Sequence, residues 1–575
     1  MKIRSILKKN IEKIIKKKNV KKIKIIIQKN KNIKNGHYQL NNLFQISYKY
    51  KISLKKLSKK IIKKMSTKKI IEKIEFSEPC FINIFLNKKW LENYLNNFFL
   101  KKKVIMKKKK EKKIVIIDYS SPNMAKSMHV GHLRSTIIGD ATARIMKFIG
   151  YKVIRTNHIG DFGNQFGMII AYLKKKKKIH KIKKLSISNL EKIYCKAKTL
   201  HKKDKLFEHK VNKYTTKIQK NDKSCYKIWK YIIKLNLKQN KKIYKLLNIT
   251  LKDKNIVGES FYKNMLPKIL KDLINKKIAV IKNGNVIVFL KDIKNRQGKN
   301  MGVILKKENG PFLYSIIDIA CLKYRYKILK ANKILYYVDS RQKQHFNQVY
   351  KIAKKANYIT NKIKIEHHFF GMMLSKNNRP FKTRSGNTIK LYDLIKESIN
   401  RAKILILKKN KKINKNCLNK LSKIIGIGAI KYSDLSRNRI TNYIFDWDQI
   451  LSFEGNTSLY IQYTYIRILS LIKKYKKNIF KLKTISLSNA CEINLSIKIL
   501  EFKEIILKSS KSGKPHLICS YIYELSSTYS NFYEKYKILN ANKKKKITRL
   551  KISYLIGKIL KKGLNLLGIK ITKFM

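Results

Sequence analysis

Two histidines separated by a valine and a glycine, His129-Val130-Gly131-His132, stand where a strand-like run gives way to a helix. Imidazoles three residues apart share one helical face and can donate hydrogen bonds to phosphate oxygens. Donors in that position stabilise the charge that builds on a phosphate in its transition state. The glycine carries no side chain, so a nucleotide can lie against the backbone there. Zinc is not expected, because the pair lacks both the HExxH pattern and a third ligand nearby.

The surrounding sequence supplies elements that could hold such a site. Ile114 to Asp118 is a short apolar run of strand type, and Pro122 breaks it. From His129 onward Leu133, Ile137, Ile138, Ala141, Ile145, Phe148 and Ile149 recur at helical spacing until Gly150 stops the helix. Tyr151 to Ile159 returns as a second strand. Strand, helix, strand is the crossover unit of a parallel sheet, whose ligands sit beyond the carboxyl ends of the strands, where helix N-termini offer free N–H groups. Ile334 to Val338 is a further short strand, ending at Asp339.

The wider chain divides by composition. Residues 1–105 read as a small α+β first domain that closes with the alternation FINIFL, in which Phe81, Asn83 and Phe85 share a face. A linker, 106–113, lies within Lys101 to Lys113, a run holding nine lysines in thirteen residues. The parallel-sheet domain is expected over 114–400, interrupted at about 174–300 by an insertion. The insertion carries helices over Ser186 to Leu200 and Cys225 to Leu247, then a hairpin turning at Asn283-Gly284. Connecting helices follow over 401–455, and 456–575 reads as all helical, with Tyr460, Tyr463, Tyr465, Tyr529, Phe532 and Tyr533 expected mostly in its core.

The charge balance is extreme: 137 Lys plus Arg against 32 Asp plus Glu, net +105 over 575 residues. No single binding surface needs that much, and the Lys, Ile and Asn excess is the mix that A/T-rich codons produce. A basic chain still favours a polyanionic partner such as RNA. Seven scattered cysteines, none in a CxxC, point to inert thiols rather than a disulfide framework or a zinc ribbon. No apolar run reaches the roughly 18 to 20 residues that span a bilayer, and the start MKIRSILKKN lacks the apolar core of a secretory signal. A cytoplasmic protein is expected.

The blocks SSPNMAKSMHVGHLRSTIIGD and NHIGDFGNQFG resemble the class I aminoacyl-tRNA synthetases, and among them the arginyl-tRNA synthetases. FINIFL, VGESFY, LYSIIDIACLKYRY, YYVDSRQKQHF, GMMLSKNNRPFKTRSGNTIKLYDL, FDWDQILSFEGNTSLYIQYTY and PHLICSYIYELSSTYSNFYE continue the likeness over nearly the whole length. It implies a Rossmann-type α/β catalytic domain with an insertion, an N-terminal domain that touches the tRNA elbow, and a helical domain that binds the anticodon. It implies ATP with Mg²⁺, L-arginine and tRNA(Arg) as partners, no zinc, and a monomer.

By the same resemblance the signature region runs Pro122-Asn123-Met124-Ala125-Lys126-Ser127-Met128-His129-Val130-Gly131-His132, with His129 and His132 catalytic. Gly131, Gly160, Asp161, Gly163 and Gln165 would meet ATP. Asp118, Asn123, Tyr314, Asp318 and Gln342 would form the arginine pocket, where a five-donor guanidinium needs fixed acceptors. Such a pocket rejects analogues that leave it unpaired by roughly four orders of magnitude. The family's second phosphate loop would fall at Phe381 to Gly386, with Lys382 and Arg384 as its cations and Lys376 as a weaker candidate. The match at Lys64 to Lys68 is rejected, because it precedes the signature and lies in lysine-rich sequence. Another HxGH nucleotidyltransferase would not need the helical tail, and a non-catalytic RNA-binding relic would not need an intact pocket.

Overall fold

A computed structural model describes residues 3–15, 23–30, 32–101, 113–176, 185–294, 298, 300–308, 310–379, 389–481 and 484–572. The lysine-rich linker lies outside these apart from Lys113.

In the first domain β1 (Ile27–Lys29), β2 (Tyr38–Leu40), β3 (Ile71–Ser77) and β4 (Phe81–Leu86) form an antiparallel sheet in the order β1-β2-β4-β3. Ile82, Ile84 and Leu86 enter the core, but Asn83 on the opposite face is also buried, with its Oδ1 accepting from Gln39 Nε2 at 3.0 Å. The FINIFL strand is thus covered on both sides at its centre. Helix Leu54–Ser66 contains Lys64 to Ser66 of the rejected loop match and packs its apolar face inward. The domain leans on the C-terminal helices: Arg4 meets Glu501 at 3.2 Å, and Glu92 Oε1 accepts from the Leu487 N–H at 2.7 Å.

The sheet of the second domain is all parallel. β5 (Ile114–Asp118) lies between β6 (Lys152–Thr156) and a later strand, and helix Gly131–Phe148 makes the β5 to β6 crossover. Val115, Ile116 and Ile117 are buried, as expected of a central strand covered on both faces. Each contributes roughly 1.5–3 kcal/mol by leaving water. The crossover helix is buried nearly all round, its polar residues Arg134, Ser135, Thr136, Asp140 and Thr142 included. A Cβ on Gly139 would stand 2.3 Å from Tyr119 Cβ, so glycine lets the helix close onto the chain leaving β5.

The insertion is more helical than its sequence suggested. Ile187–Lys203 and Lys223–Leu246 match the expected helices, and a third, Lys205–Gln219, stands between them. The hairpin forms as expected: β7 (Val280–Lys282) pairs with β8 (Asn285–Lys294) through Asn283 and Gly284, both at positive φ, and β9 (Asn300–Lys306) adds to it. β10 (Lys333–Tyr336) and β11 (Lys364–His367) then complete the parallel sheet in the order β11-β10-β5-β6. A two-residue parallel pair, β12 (Met373–Leu374) with β13 (Tyr443–Ile444), ties the end of that domain to the connecting helices.

Helices Ser458–Lys474, Ala490–Ser512, His516–Lys535 and Lys543–Leu566 build the C-terminal bundle. Tyr465, Tyr529 and Phe532 are in its core, whereas Tyr463 is 45% exposed. The chain's end returns to the far end of the crossover helix. There Asp140 accepts from Tyr119 OH at 3.0 Å and from the Thr250 N–H at 2.8 Å, and pairs with Arg144 at 2.7 Å. Lys431 Nζ donates to the carbonyls of Leu247 and Gly568 at 2.7 and 2.8 Å. Burial pushes the Lys431 ammonium down to about 7, against the pull of Asp140. Insertion, connecting helices and tail are therefore all fastened to the element that carries the histidine pair.

Candidate active site

The chain leaving β5 must reverse to start the crossover helix, and it does so through two non-glycine residues in left-handed conformation, Ser120 (φ 77) and Ser121 (φ 44). Such residues cost of order 1–3 kcal/mol each unless their surroundings fix them. Here Ser120 N–H donates to Ser135 Oγ at 2.9 Å, and Ser135 Oγ donates on to Tyr337 O at 2.6 Å. Ser121 N–H donates to Asn157 Oδ1 at 2.9 Å, while Asn157 Nδ2 and Ser120 Oγ both meet Tyr244 OH. The helix, the end of β6, β10 and the insertion all hold this one turn.

The histidine pair stands at the helix mouth with ring centroids 4.0 Å apart. His129 N–H donates to His132 Nδ1 at 3.1 Å, and Gly131 N–H donates to His129 Nδ1 at 3.1 Å. Both Nδ1 atoms act as acceptors, so in each neutral ring the proton sits on Nε2. Burial, then the neighbouring His129, pushes His132 down to about 3, and burial with Lys126 lowers His129. At neutral pH the mouth presents two uncharged Nε2–H donors. A Cβ on Gly131 would stand 2.8 Å from His129 Cε1, so the glycine leaves room for that ring.

Carboxylates gather beside the start of the segment that leads to the histidine pair, with Glu259 close to both Asp161 and Asp318. Asn123 forms a parallel bridge with Gly160, Met124 N–H donates to Gly160 O at 3.1 Å, and Gly160 N–H donates to Pro122 O at 3.2 Å. A Cβ on Gly160 would lie 3.8 Å from Glu259 Oε1 and 4.0 Å from Asn123 Nδ2. Asp318, on helix Tyr314–Lys327, has Oδ2 at 2.6 Å from His345 Nε2 and Oδ1 at 3.6 Å from His158 Nε2. The exposed Tyr314 ring meets His345 edge-on at 4.8 Å, so Tyr314 and Asp318 converge on one imidazole. Gln342 closes the helical turn directly before helix Lys343–Lys355, which carries His345.

Three residues of this group were not singled out in the sequence: Glu259, His158 and His345. Nothing local in their segments, VGESFY, NHIGDFG and YYVDSRQKQHF, brings them together. Burial, then Asp161 and Asp318, pushes the Glu259 carboxyl up to about 8. His345 helps to hold the Asp318 carboxyl below its usual range despite burial.

Two carboxylates expected to meet ligands are turned inward. Asp118 is buried, with Arg325 NH2 at 2.6 Å from one oxygen and Ser121 Oγ donating at 3.0 Å to the other. The chain's own guanidinium thus occupies it. Asp161 accepts from Ser260 N–H at 2.9 Å and Ser260 Oγ at 2.7 Å, and lies so close to Gly258 that a Cβ there would be 2.2 Å away. Gly163 precedes helix Asn164–Lys175, and Gln165 Nε2 closes the turn onto Gly160 O at 3.4 Å. Lys382 and Arg384 lie outside the described residues. Lys376 pairs with Asp446 at 3.3 Å and Asp448 at 3.9 Å. Among the described residues no cluster of His, Cys, Asp and Glu forms a metal site, and no helix is long and apolar enough to cross a membrane.

Three family profiles match the sequence: the catalytic domain of class I (R) tRNA synthetases over residues 94–447, the DALR anticodon binding domain over 461–575, and the arginyl-tRNA synthetase N-terminal domain over 1–86. Arginine–tRNA ligase of Buchnera aphidicola subsp. Schizaphis graminum is 54% identical over 580 residues, covering all of both chains. That of Wigglesworthia glossinidia brevipalpis is 50% identical over 579 residues, also covering both. The crystal structure of Plasmodium falciparum arginyl-tRNA synthetase superposes with a TM-score of 0.85 at 32% identity, covering 100% of this chain and 98% of that one. Thermus thermophilus arginyl-tRNA synthetase, 19% identical, shares the fold with a TM-score of 0.80 over the full length of both chains.

The geometry sets a testable protonation state. With ¹⁵N-labelled histidine, and a His132→Gln variant to assign the signal, His132 shows an Nε2–H tautomer at pH 7. It does not titrate until below about pH 4, the window set by a pKa held near 3. A His132 signal that titrates with a midpoint near 6.5 contradicts the arrangement.

Proposed function

The chain belongs to the arginyl-tRNA synthetase family and ligates arginine to tRNA(Arg) by way of arginyl-adenylate, and from that premise we propose how its residues divide the work. ATP lies across the mouth of the crossover helix with its phosphates against His129 and His132. The arginine carboxylate attacks the α-phosphate, and the two Nε2–H donors take up the charge that develops on its oxygens. Neutral donors suit this step, because they need no proton transfer, and burial favours the uncharged form of both rings. Mg²⁺ bound with ATP would share the phosphate charge, and Lys382 and Arg384 supply cations to the departing pyrophosphate. A hydroxyl of the tRNA terminal adenosine then takes the arginyl group. No nucleophilic side chain is required, and positioning supplies much of the rate.

The guanidinium enters between Asp318 and Glu259, with Asn123, Tyr314 and Gln342 around it and His345 orienting Asp318. What supports this reading is the Asn123–Gly160 bridge, which sets Glu259 beside the start of the signature segment that runs on to His129 and His132. We assign Asp118 and Asp161 to holding Arg325 and Ser260, and Gly131, Gly160, Gly163 and Gln165 to shaping the ATP floor. Residues 1–105 then contact the tRNA elbow, 106–113 link them to the catalytic domain at 114–400 with its insertion at about 174–300, 401–455 connect, and 456–575 read the anticodon. The reading of a cytoplasmic monomer rests on one chain carrying all of these parts and on tRNA as its partner.

Asp318→Ala tests the pocket. Removing one partner of a buried charged pair costs roughly 2–5 kcal/mol, so the KM for arginine rises by roughly 30-fold or more while the KM for ATP stays within about threefold. Equal losses for both substrates would place Asp318 outside the pocket.

Glu259 makes arginine binding depend on pH. In the empty pocket it holds a proton at pH 7, since burial and two neighbouring carboxylates push it up to about 8. An incoming guanidinium favours the ionised form, so binding releases the proton and tightens as pH rises. The KM for arginine falls between about pH 6 and 8, by at most about tenfold per unit, and Glu259→Gln flattens the profile. An arginine KM that is flat or rises with pH in the unmodified protein contradicts the assignment.

A further inference from the structure

The first helix of the insertion, Ile187–Lys203, begins on a cap in which Ser186 Oγ accepts from the Asn189 N–H at 3.2 Å, and its first turns face the signature loop. Glu191 lies there with both carboxylate oxygens occupied. Oε1 accepts the N–H of buried Ser127 at 3.0 Å, two residues before His129, and Oε2 meets Lys390 Nζ at 2.9 Å.

Lys390 is itself bridged to His129. The two form an antiparallel bridge flanked by Val130 N–H to Ile389 O at 3.0 Å and Leu391 N–H to Met128 O at 2.9 Å. One carboxylate therefore holds both sides of the short backbone pair that contains His129. Nearby on the same helix the Tyr194 ring takes Lys126 Nζ at 4.8 Å. The charge of Glu191 is also felt at His129, whose pKa it raises against burial.

We propose that Glu191, on the insertion, is a positioning residue for adenylate formation: it fixes Ser127 to His129 so that the His129 Nε2–H points at the phosphate, and it does not touch substrate. This rests on the reading of His129 as a phosphate donor. The two contacts of Glu191 are unequal. An ion pair with a Lys390 side chain that is 40% exposed adds little, whereas a buried N–H stripped of its acceptor bears the full desolvation penalty. The Ser127 contact is the operative one. Docking of the insertion as a whole does not hang on Glu191, because Asn157 Nδ2 to Tyr244 OH at 3.1 Å and Ser260 to Asp161 fasten it elsewhere.

The test uses the full-length protein with tRNA(Arg) in arginine-dependent ATP–pyrophosphate exchange, with melting temperature followed in parallel. Glu191→Ala lowers kcat by about 10- to 100-fold while the KM for arginine and the melting temperature change little. Glu191→Gln keeps a carbonyl acceptor for Ser127 and restores kcat to within about threefold of the unmodified protein, and Lys390→Met stays within the same range. Glu191→Ala combined with His129→Ala is no slower than His129→Ala alone, as expected of a residue that acts through another. An unchanged kcat in Glu191→Ala, a Gln variant as slow as the Ala variant, or losses that multiply in the double variant each overturn the proposal. Should His129→Ala alone leave kcat intact, the donor reading falls and the Glu191 proposal with it; an impaired His129→Ala beside an unimpaired Glu191→Ala removes only the latter.

Discussion

The turn at Ser120–Ser121 is the constraint on which the rest of the site depends. Two consecutive non-glycine residues at positive φ are unfavourable in isolation, and they persist because Ser135, Asn157 and Tyr244 bond them from three directions. That reversal lets the chain leave β5, pass Asn123 and Gly160, and return as the helix that carries the histidine pair. Along the same path Asn123 bridges Gly160, beside Glu259. The strain is local, and the elements that support it come from the whole catalytic domain and its insertion.

Four buried acids among the described residues are neutralised in the same way. Asp118 pairs with Arg325 at 2.6 Å, Asp140 with Arg144 at 2.7 Å, Asp434 with Arg134 at 3.1 Å and Glu492 with Arg549 at 3.1 Å. In each the buried acid meets arginine, whose planar fork is less strongly hydrated and better ordered than an ammonium. Lysine crowds the exterior instead, where a substitution driven by codon drift costs little. The net charge of +105 is therefore compatible with an interior whose acids are paired. Lys431 is the departure, a lysine held inside by two carbonyls at the seam between tail and crossover helix.

Much of this was legible in the sequence. The strand-helix-strand unit, the hairpin at Asn283-Gly284 and the helical tail follow from periodicity and turn chemistry, and the HxGH spacing itself lets the His129 N–H reach His132 Nδ1. Helix Lys205–Gln219 is weakly marked in the sequence, because its buried stripe of Phe207, Val211, Thr215 and Ile218 is short and includes a threonine. What no local pattern could reveal is pairing over distance. Asp118 looks like a ligand at a strand end until Arg325, 207 residues away, is seen to fill it. Glu259 looks like an ordinary acid until Asp161 and Asp318, from separate segments, are found beside it.

The central claim is that His132 works through its Nε2–H as an uncharged donor. Comparing His132→Gln with His132→Asn tests it directly, since glutamine places an amide nitrogen near the Nε2 position and asparagine near Nδ1. In arginine-dependent ATP–pyrophosphate exchange the glutamine variant should keep a kcat about tenfold or more above that of the asparagine variant. An asparagine variant equal to or faster than the glutamine variant would contradict the account.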